Sequence, residues 1–205
     1  MAVMATAGTT LTMPWSKGIN SSNGSASRNC SNDINKVMAM KAQTAAHWLS
    51  QQNPDIRIEA ICQFADEDLL TELVGRHDLV LDCTDNLVIR QQISDACVQA
   101  QTPLISAAAI RFEGQLCCFK NDGSGPCYRC VSRLFGEQQL TCLEAGVFAP
   151  VVGLIGVQQA LWAMLWLSGA QDLPWHQLRI FDALQSQWQS FSIMKQQNCC
   201  CDKAT

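Results

Sequence analysis

The stretch His77-Asp78-Leu79-Val80-Leu81-Asp82-Cys83 is a short apolar run closed by polar residues at both ends. A run so brief and so apolar fits a strand buried on both faces of a parallel sheet, which requires helices above and below it. The following residues supply one helix, Asn86 to Gln101, and then a second buried strand, Pro103 to Ala108. Strand, helix and strand within about thirty residues make a βαβ unit. Arg111 to Phe119 alternates and predicts a third strand, while Leu178 to Asp182 and Gln187 to Lys195 read as closing strands. The expected fold class is α/β, a mostly parallel sheet flanked by helices with an antiparallel C-terminal part.

Residues 13 to about 32 are rich in Ser, Asn and Gly and show neither period, so they predict loop or disorder. Lys36 to Gln51 predicts a helix, which Asn53-Pro54 ends because proline cannot continue it. Arg57 to Cys62 predicts a strand and Glu67 to Val74 a short helix. No internal repeat or interdomain linker is visible. The expected organisation is a divergent or disordered segment, 1–32, before a single domain, 33–205. Val147 to Leu167 approaches the length of a membrane span. Gln158 and Gln159 sit at its centre and Pro150, Gly153 and Gly156 interrupt its first half, so a buried core helix is expected and no membrane span.

Composition removes other classes. The formal net charge is −4 without a basic block, which gives nucleic-acid binding no electrostatic support. Met1 to Thr12 has no basic start and no long apolar stretch, so a secretory signal is not expected. Twelve cysteines do not fall at the even spacings of a secreted scaffold, and several lie inside apolar runs. A reducing cytoplasm is the expected location, with a few thiols in a metal or sulfur role.

Three motifs carry chemistry. Asp82-Cys83-Thr84-Asp85-Asn86 lies where a buried strand passes into a helix, the place where ligands bind in open α/β sheets. An aspartate there can hold Mg²⁺ against phosphate oxygens; the local pattern alone favours a helix cap by Thr84 or Asp85, and the two roles can coexist on different atoms. Cys127-Tyr128-Arg129-Cys130 supplies two thiols to a zinc ion, and Cys199-Cys200-Cys201 can supply the others. A redox pair, or thiols without a role, remain as alternatives. Cys142, in Leu140-Thr141-Cys142-Leu143-Glu144-Ala145-Gly146, can carry sulfur or a thioester if its thiolate is accessible, and is otherwise an inert thiol.

Taken together, DLVLDCTDNLVIRQQI, PLISAAAIRFEGQLCCF, GPCYRCVSRLFGEQQLTCLEAGVFAPVVGLIGVQQAL and LRIFDALQSQW resemble the ThiF/MoeB/HesA family, bacterial relatives of ubiquitin-activating enzymes. The resemblance runs from about residue 33 to 198. It implies a Rossmann-like fold and ATP-dependent adenylation of the C-terminal glycine of a ubiquitin-like sulfur carrier ending in Gly-Gly. The Cys-Tyr-Arg-Cys stretch followed by Ser132 to Glu137 looks most like the branch serving molybdenum-cofactor synthesis, with the thiamine branch as near neighbour. By resemblance, Asp85 is the catalytic and Mg²⁺-binding aspartate, with Asn86 beside it in the nucleotide site, and Lys41 contacts the ATP phosphates. Cys142 matches a cysteine that some relatives use covalently. Cys127 and Cys130, with Cys199 and Cys201, are the implied zinc ligands. A homodimer is implied too.

The family's Gly-x-Gly-Gly-x-Gly turn has no counterpart here, nor do its acidic strand end and its Ser-Asn-Leu-x-Arg-Gln element, whose place is held by Met13 to Asn32. The resemblance stops after Thr12 and resumes near Asp33, the pattern a local reading-frame change would leave. Weak ATP binding, impaired adenylation and a sheet lacking its first, central strand are therefore expected. A non-catalytic module that binds the carrier is the alternative from another class. A dinucleotide-dependent oxidoreductase lacks its glycine fingerprint.

Overall fold

The computed structural model describes residues 2–5, 10–15, 42–135 and 146–202. In chain order they form β1 (Ala2–Ala5), β2 (Thr10–Trp15), α1 (42–52), β3 (Arg57–Phe64), α2 (Glu67–Gly75), β4 (Leu79–Asp82), α3 (Leu87–Ala100), β5 (Leu104–Ile110) and β6 (Glu113–Phe119). A short α4 (Tyr128–Ser132) continued by a 3-10 turn, Arg133–Phe135, then the long α5 (Ala149–Leu167), β7 (Gln177–Asp182) and β8 (Gln187–Ser192) follow, and a second 3-10 turn, Cys200–Asp202, comes last. All eight strands join one sheet in the order β3-β2-β1-β4-β5-β6-β7-β8.

The layered α/β arrangement is the expected one, but the sheet is mixed rather than mostly parallel. Only β2–β3 and β4–β5 pair in parallel. From β5 onward every ladder is antiparallel, and for β5–β6 the cause is local: Arg111 and Phe112 join the two strands too tightly for a crossover. The expectation of an absent central strand is corrected as well. Ala2–Ala5 fills the place between β4 and β2 and runs antiparallel to both, with Ala2 opposite Asp82 and Ala5 opposite Leu79. A strand of either direction satisfies the buried N–H and C=O groups along β4. β2 reaches Trp15, three residues into the stretch that predicted no regular structure.

Alternation along the strands splits the core in two. Val80, Leu104, Cys117 and Phe119 face α2 and α3, where they meet Leu70, Leu73, Val74, Ile89 and Ile93. Leu79, Ile105, Leu116 and Cys118 face the other way, onto Val151, Ile155, Trp162 and Ala163 of α5. Gly114 on β6 lets α5 come this close: a Cβ there would lie 2.4 Å from Ile155 Cδ1.

α5 corrects one expectation in part. It is long and apolar enough to cross a membrane, and it was expected to be a buried core helix. One stripe, Val151, Ile155, Gln159, Trp162 and Ala163, is buried on the sheet. The opposite stripe is exposed, with Val157 and Met164 each 71% accessible. A helix laid on one sheet face buries only that face, whatever its composition.

Candidate active site and cysteine cluster

β4 and β5 run parallel and end side by side, and the neighbour of β4 on its other side, β1, belongs to an earlier part of the chain. The loop 83–86 leaves the carboxyl end of β4 at this change of strand order, where α/β sheets open a crevice.

Asp82, the last residue of β4, is 1% exposed and organises the loop. Its Oδ1 accepts from the backbone N–H of Thr84 (2.9 Å) and from the Thr84 hydroxyl (2.6 Å). Its Oδ2 accepts from the Ser106 hydroxyl on β5 (2.8 Å), and Arg90 Nε stands 3.9 Å away. Arg90 Nη2 also donates to the carbonyls of Thr84 and Ala107, the latter at 3.0 Å. A buried carboxylate is tolerable when hydrogen bonds and a cation compensate its lost hydration, as they do here.

From the opposite face, Gln159 of α5 donates through Nε2 to the carbonyls of Asp82 (3.1 Å) and Ile105 (2.8 Å). Its Oε1 accepts from the Cys83 thiol at 3.2 Å. One buried carboxamide thus ties the ends of both parallel strands to the long helix.

Asp85 is exposed at the tip of the loop. The helix cap, read from sequence as Thr84 or Asp85, belongs to Asn86, whose Oδ1 accepts from the N–H groups of Val88 (2.9 Å) and Ile89 (3.2 Å). The Thr84 hydroxyl is spent on Asp82, and the Asp85 carboxylate is left out of the cap. Lys41 and Cys142 lie outside the described residues. From sequence, Asp82 belongs to the strand-end motif and Gln159 to the apolar stretch, neither with a bracing role, and Ser106 and Arg90 have none. A polar residue at the end of an apolar strand and a glutamine inside an apolar helix were the available signals.

The second constellation lies beside the middle of α3, where Arg129 and Cys200 meet Asp95. Cys127, Cys130, Cys199 and Cys201 are all buried, and their Sγ atoms fall within 4.8 Å of one another. Cys127 and Cys199 are 3.6 Å apart, Cys130 and Cys201 3.7 Å. Four sulfurs around a tetrahedral zinc stand roughly 3.8 Å apart when each Zn–S bond is about 2.3 Å, so spacing and soft donors both suit that ion. Burial pushes the Cys199 thiol up, but the Cys201 N–H and the surrounding thiols outweigh it and bring Cys199 down to about 7. Asp202, next to Cys201, pairs with Lys195 at 3.3 Å. Asp95 of α3 takes a two-pronged salt bridge from Arg129 (2.6 and 2.5 Å), which fastens the Cys-Tyr-Arg-Cys turn to the helix.

A family model described as the ThiF family matches residues 25–203. Molybdopterin-synthase adenylyltransferase of Escherichia coli (strain K12) is 43% identical over 159 residues, which is 78% of this chain and 64% of that protein. The sulfur carrier protein ThiS adenylyltransferase of the same organism is also 43% identical, over 78% of this chain and 63% of its own length. The chain therefore spans a little under two thirds of these relatives. Among solved structures, E. coli MccB with ATP superposes with a TM-score of 0.65 at 17% identity, covering 79% of this chain and 50% of that one, a likeness of fold alone.

Proposed function

The chain belongs to the ThiF family, and from that premise we propose that its site adenylates the C-terminal glycine of a ubiquitin-like sulfur carrier. The observation that carries this reading is the placement of Asp85. It is an exposed carboxylate at the carboxyl end of a parallel strand, released from capping by Asn86 and held on a loop that Asp82, Arg90 and Gln159 brace.

The reaction asks for positioning and charge neutralisation. The glycine carboxylate attacks the α-phosphorus of ATP and pyrophosphate departs, leaving an acyl-adenylate that can accept sulfur. Asp85 offers the hard oxygen donor suited to Mg²⁺, which when bound neutralises phosphate charge. Lys41 contacts the phosphates, Asn86 completes the rim, and Cys142 is available for a covalent step in a relative-like manner. Cys127, Cys130, Cys199 and Cys201 would hold a structural zinc, which when bound would tie the segment 199–202 to α4. The carrier is the small subunit of molybdopterin synthase, in keeping with relatives of that name at 43% and 48% identity; the thiamine carrier is the alternative. The exposed apolar stripe of α5 supports a homodimer, and cysteine usage supports a reducing cytoplasm.

One sequence observation favours a weaker reaction. The 205 residues contain no Gly-x-Gly-Gly-x-Gly turn and no Asn-Leu-x-Arg-Gln element. This polypeptide by itself accordingly exchanges slowly, and the second reading, a carrier-binding module without nucleotide chemistry, rests on the same absence. ATP–pyrophosphate exchange with a carrier ending in Gly-Gly, run with the parent chain and Asp85→Ala, separates the two. Exchange that is weak but abolished by Asp85→Ala supports catalysis. Carrier binding with no exchange in either protein supports the module, and exchange unaffected by the substitution rejects the role of Asp85.

A further inference from the structure

The cysteine cluster holds one thiol more than a tetrahedral ion can use. Cys200 lies between two ligand positions, with its Sγ 3.8 Å from Cys127 Sγ and 4.0 Å from Cys199 Sγ. Cys127, Cys130, Cys199 and Cys201 are each no more than 4% exposed, whereas Cys200 is only partly buried. Its S–H donates to Asp95 Oδ1 at 3.5 Å. Asp95 is itself pinned by Arg129, so the extra thiol is parked at a fixed place beside the ligand set.

We propose that Cys200 is an oxidation site for hydroperoxides, and that its disulfide with Cys127 expels the zinc. The inference rests on the zinc reading above. Cys200 is the member of the five that solvent-borne peroxide can reach. Burial first, and then Cys127, Cys199 and Asp95, hold its thiol above the usual range, so the first step runs slowly through the minor thiolate, which attacks ROOH; the net change is Cys200–SH and ROOH to Cys200–SOH and ROH. The neighbouring Cys127 thiolate then attacks the sulfenic sulfur, forming the S–S bond and breaking the S–O bond; the departing hydroxide takes one proton from the buffer and leaves as water. Two electrons have passed from the two thiols to the peroxide. The metal is left with three thiolates and is lost to competing chelators. Cys127 is the favoured partner over Cys199, because adjacent cysteines can close only a strained ring, whereas Cys127 arrives from a separate element and needs about 2 Å of closure to reach bonding distance.

The test uses the full chain loaded with one equivalent of zinc and freed of excess, then exposed to hydrogen peroxide. Zinc release is followed with a chromogenic chelator, and disulfides are mapped by mass spectrometry of unreduced digests. The parent is expected to release zinc in step with a Cys127–Cys200 linked peptide, and to take zinc up again after treatment with a thiol reductant. Cys200→Ser and Cys200→Ala are expected to bind the same amount of zinc and to release it at least roughly tenfold more slowly. Equal release from parent and variants, or a disulfide map without Cys200, overturns the proposal. A parent that takes up no zinc overturns the metal assignment, and its disulfide map still decides whether Cys200 pairs with Cys127.

Discussion

Gln159, midway along an apolar helix, donates a hydrogen bond to the main-chain carbonyl of Asp82, 77 residues earlier at the end of β4. The same nitrogen reaches the Ile105 carbonyl, and both contacts are buried. Replacing Gln159 by leucine keeps the volume but strips two carbonyls and the Cys83 thiol of their partner. The expected loss is about 1–3 kcal/mol, the usual cost of stranding buried polar groups. Thermal unfolding should show a midpoint lower by roughly 2–4 °C per kcal/mol in a chain of this size. A midpoint unchanged in Gln159→Leu would mean that the carboxamide ties nothing down.

Asp85 and Asn86 are adjacent but should respond oppositely. Asn86→Ala removes an N-cap and should cost about 1 kcal/mol of stability. Asp85→Ala removes an exposed side chain outside the cap and should leave the unfolding free energy within about 0.5 kcal/mol of the parent. Any nucleotide exchange should fall by about a hundredfold or more in Asp85→Ala, the scale of losing one electrostatic partner of the transition state. Urea unfolding and exchange assays on both variants check the pair; a stability loss in Asp85→Ala matching that in Asn86→Ala would return Asp85 to a structural role.

The contrast shows what a sequence can and cannot reveal. The buried strands 79–82 and 104–110 were legible because a short apolar run between polar ends fits few other elements. The four cysteines brought together were legible from a C-x-x-C pair and a distant cluster. The cap was not, because Thr84, Asp85 and Asn86 are all competent and only the phase of the helix start selects one. The role of Gln159 depends on how α5 docks across the sheet, which no local pattern encodes. The direction of β1 is likewise a tertiary choice, since four residues of small and apolar character pair either way.

Gly114 offers a test of that docking. An added methyl would stand 2.4 Å from both Cδ1 and Cγ1 of Ile155 and 3.2 Å from Val151 Cγ1. Gly114→Ala should destabilise by about 1–3 kcal/mol through overpacking. In an Ile155→Ala background the same change should cost much less, because the colliding atoms are gone. A double-mutant cycle by chemical denaturation measures this directly, and strictly additive losses would show that α5 does not rest on Gly114.

Zinc binding by the four cysteines should carry a definite pH dependence. Each thiol must lose its proton to ligate, so affinity falls as pH falls. In the metal-free chain Cys199 sits near 7 while burial first, and then neighbouring thiols, hold Cys127 above the usual thiol range. Above pH 7 Cys199 is already ionised and gives up no proton on binding. Below pH 7 it must be deprotonated along with the others. Zinc affinity should therefore decline with a steeper slope below pH 7 than above it, as read from chelator competition between pH 5.5 and 8.5. At a hundredfold excess of zinc over its dissociation constant the folded state gains about 2.7 kcal/mol. That gain should vanish on chelation, and in Cys127→Ser at the same zinc concentration. Unfolding midpoints identical with and without chelator at pH 8 would remove the metal from the fold.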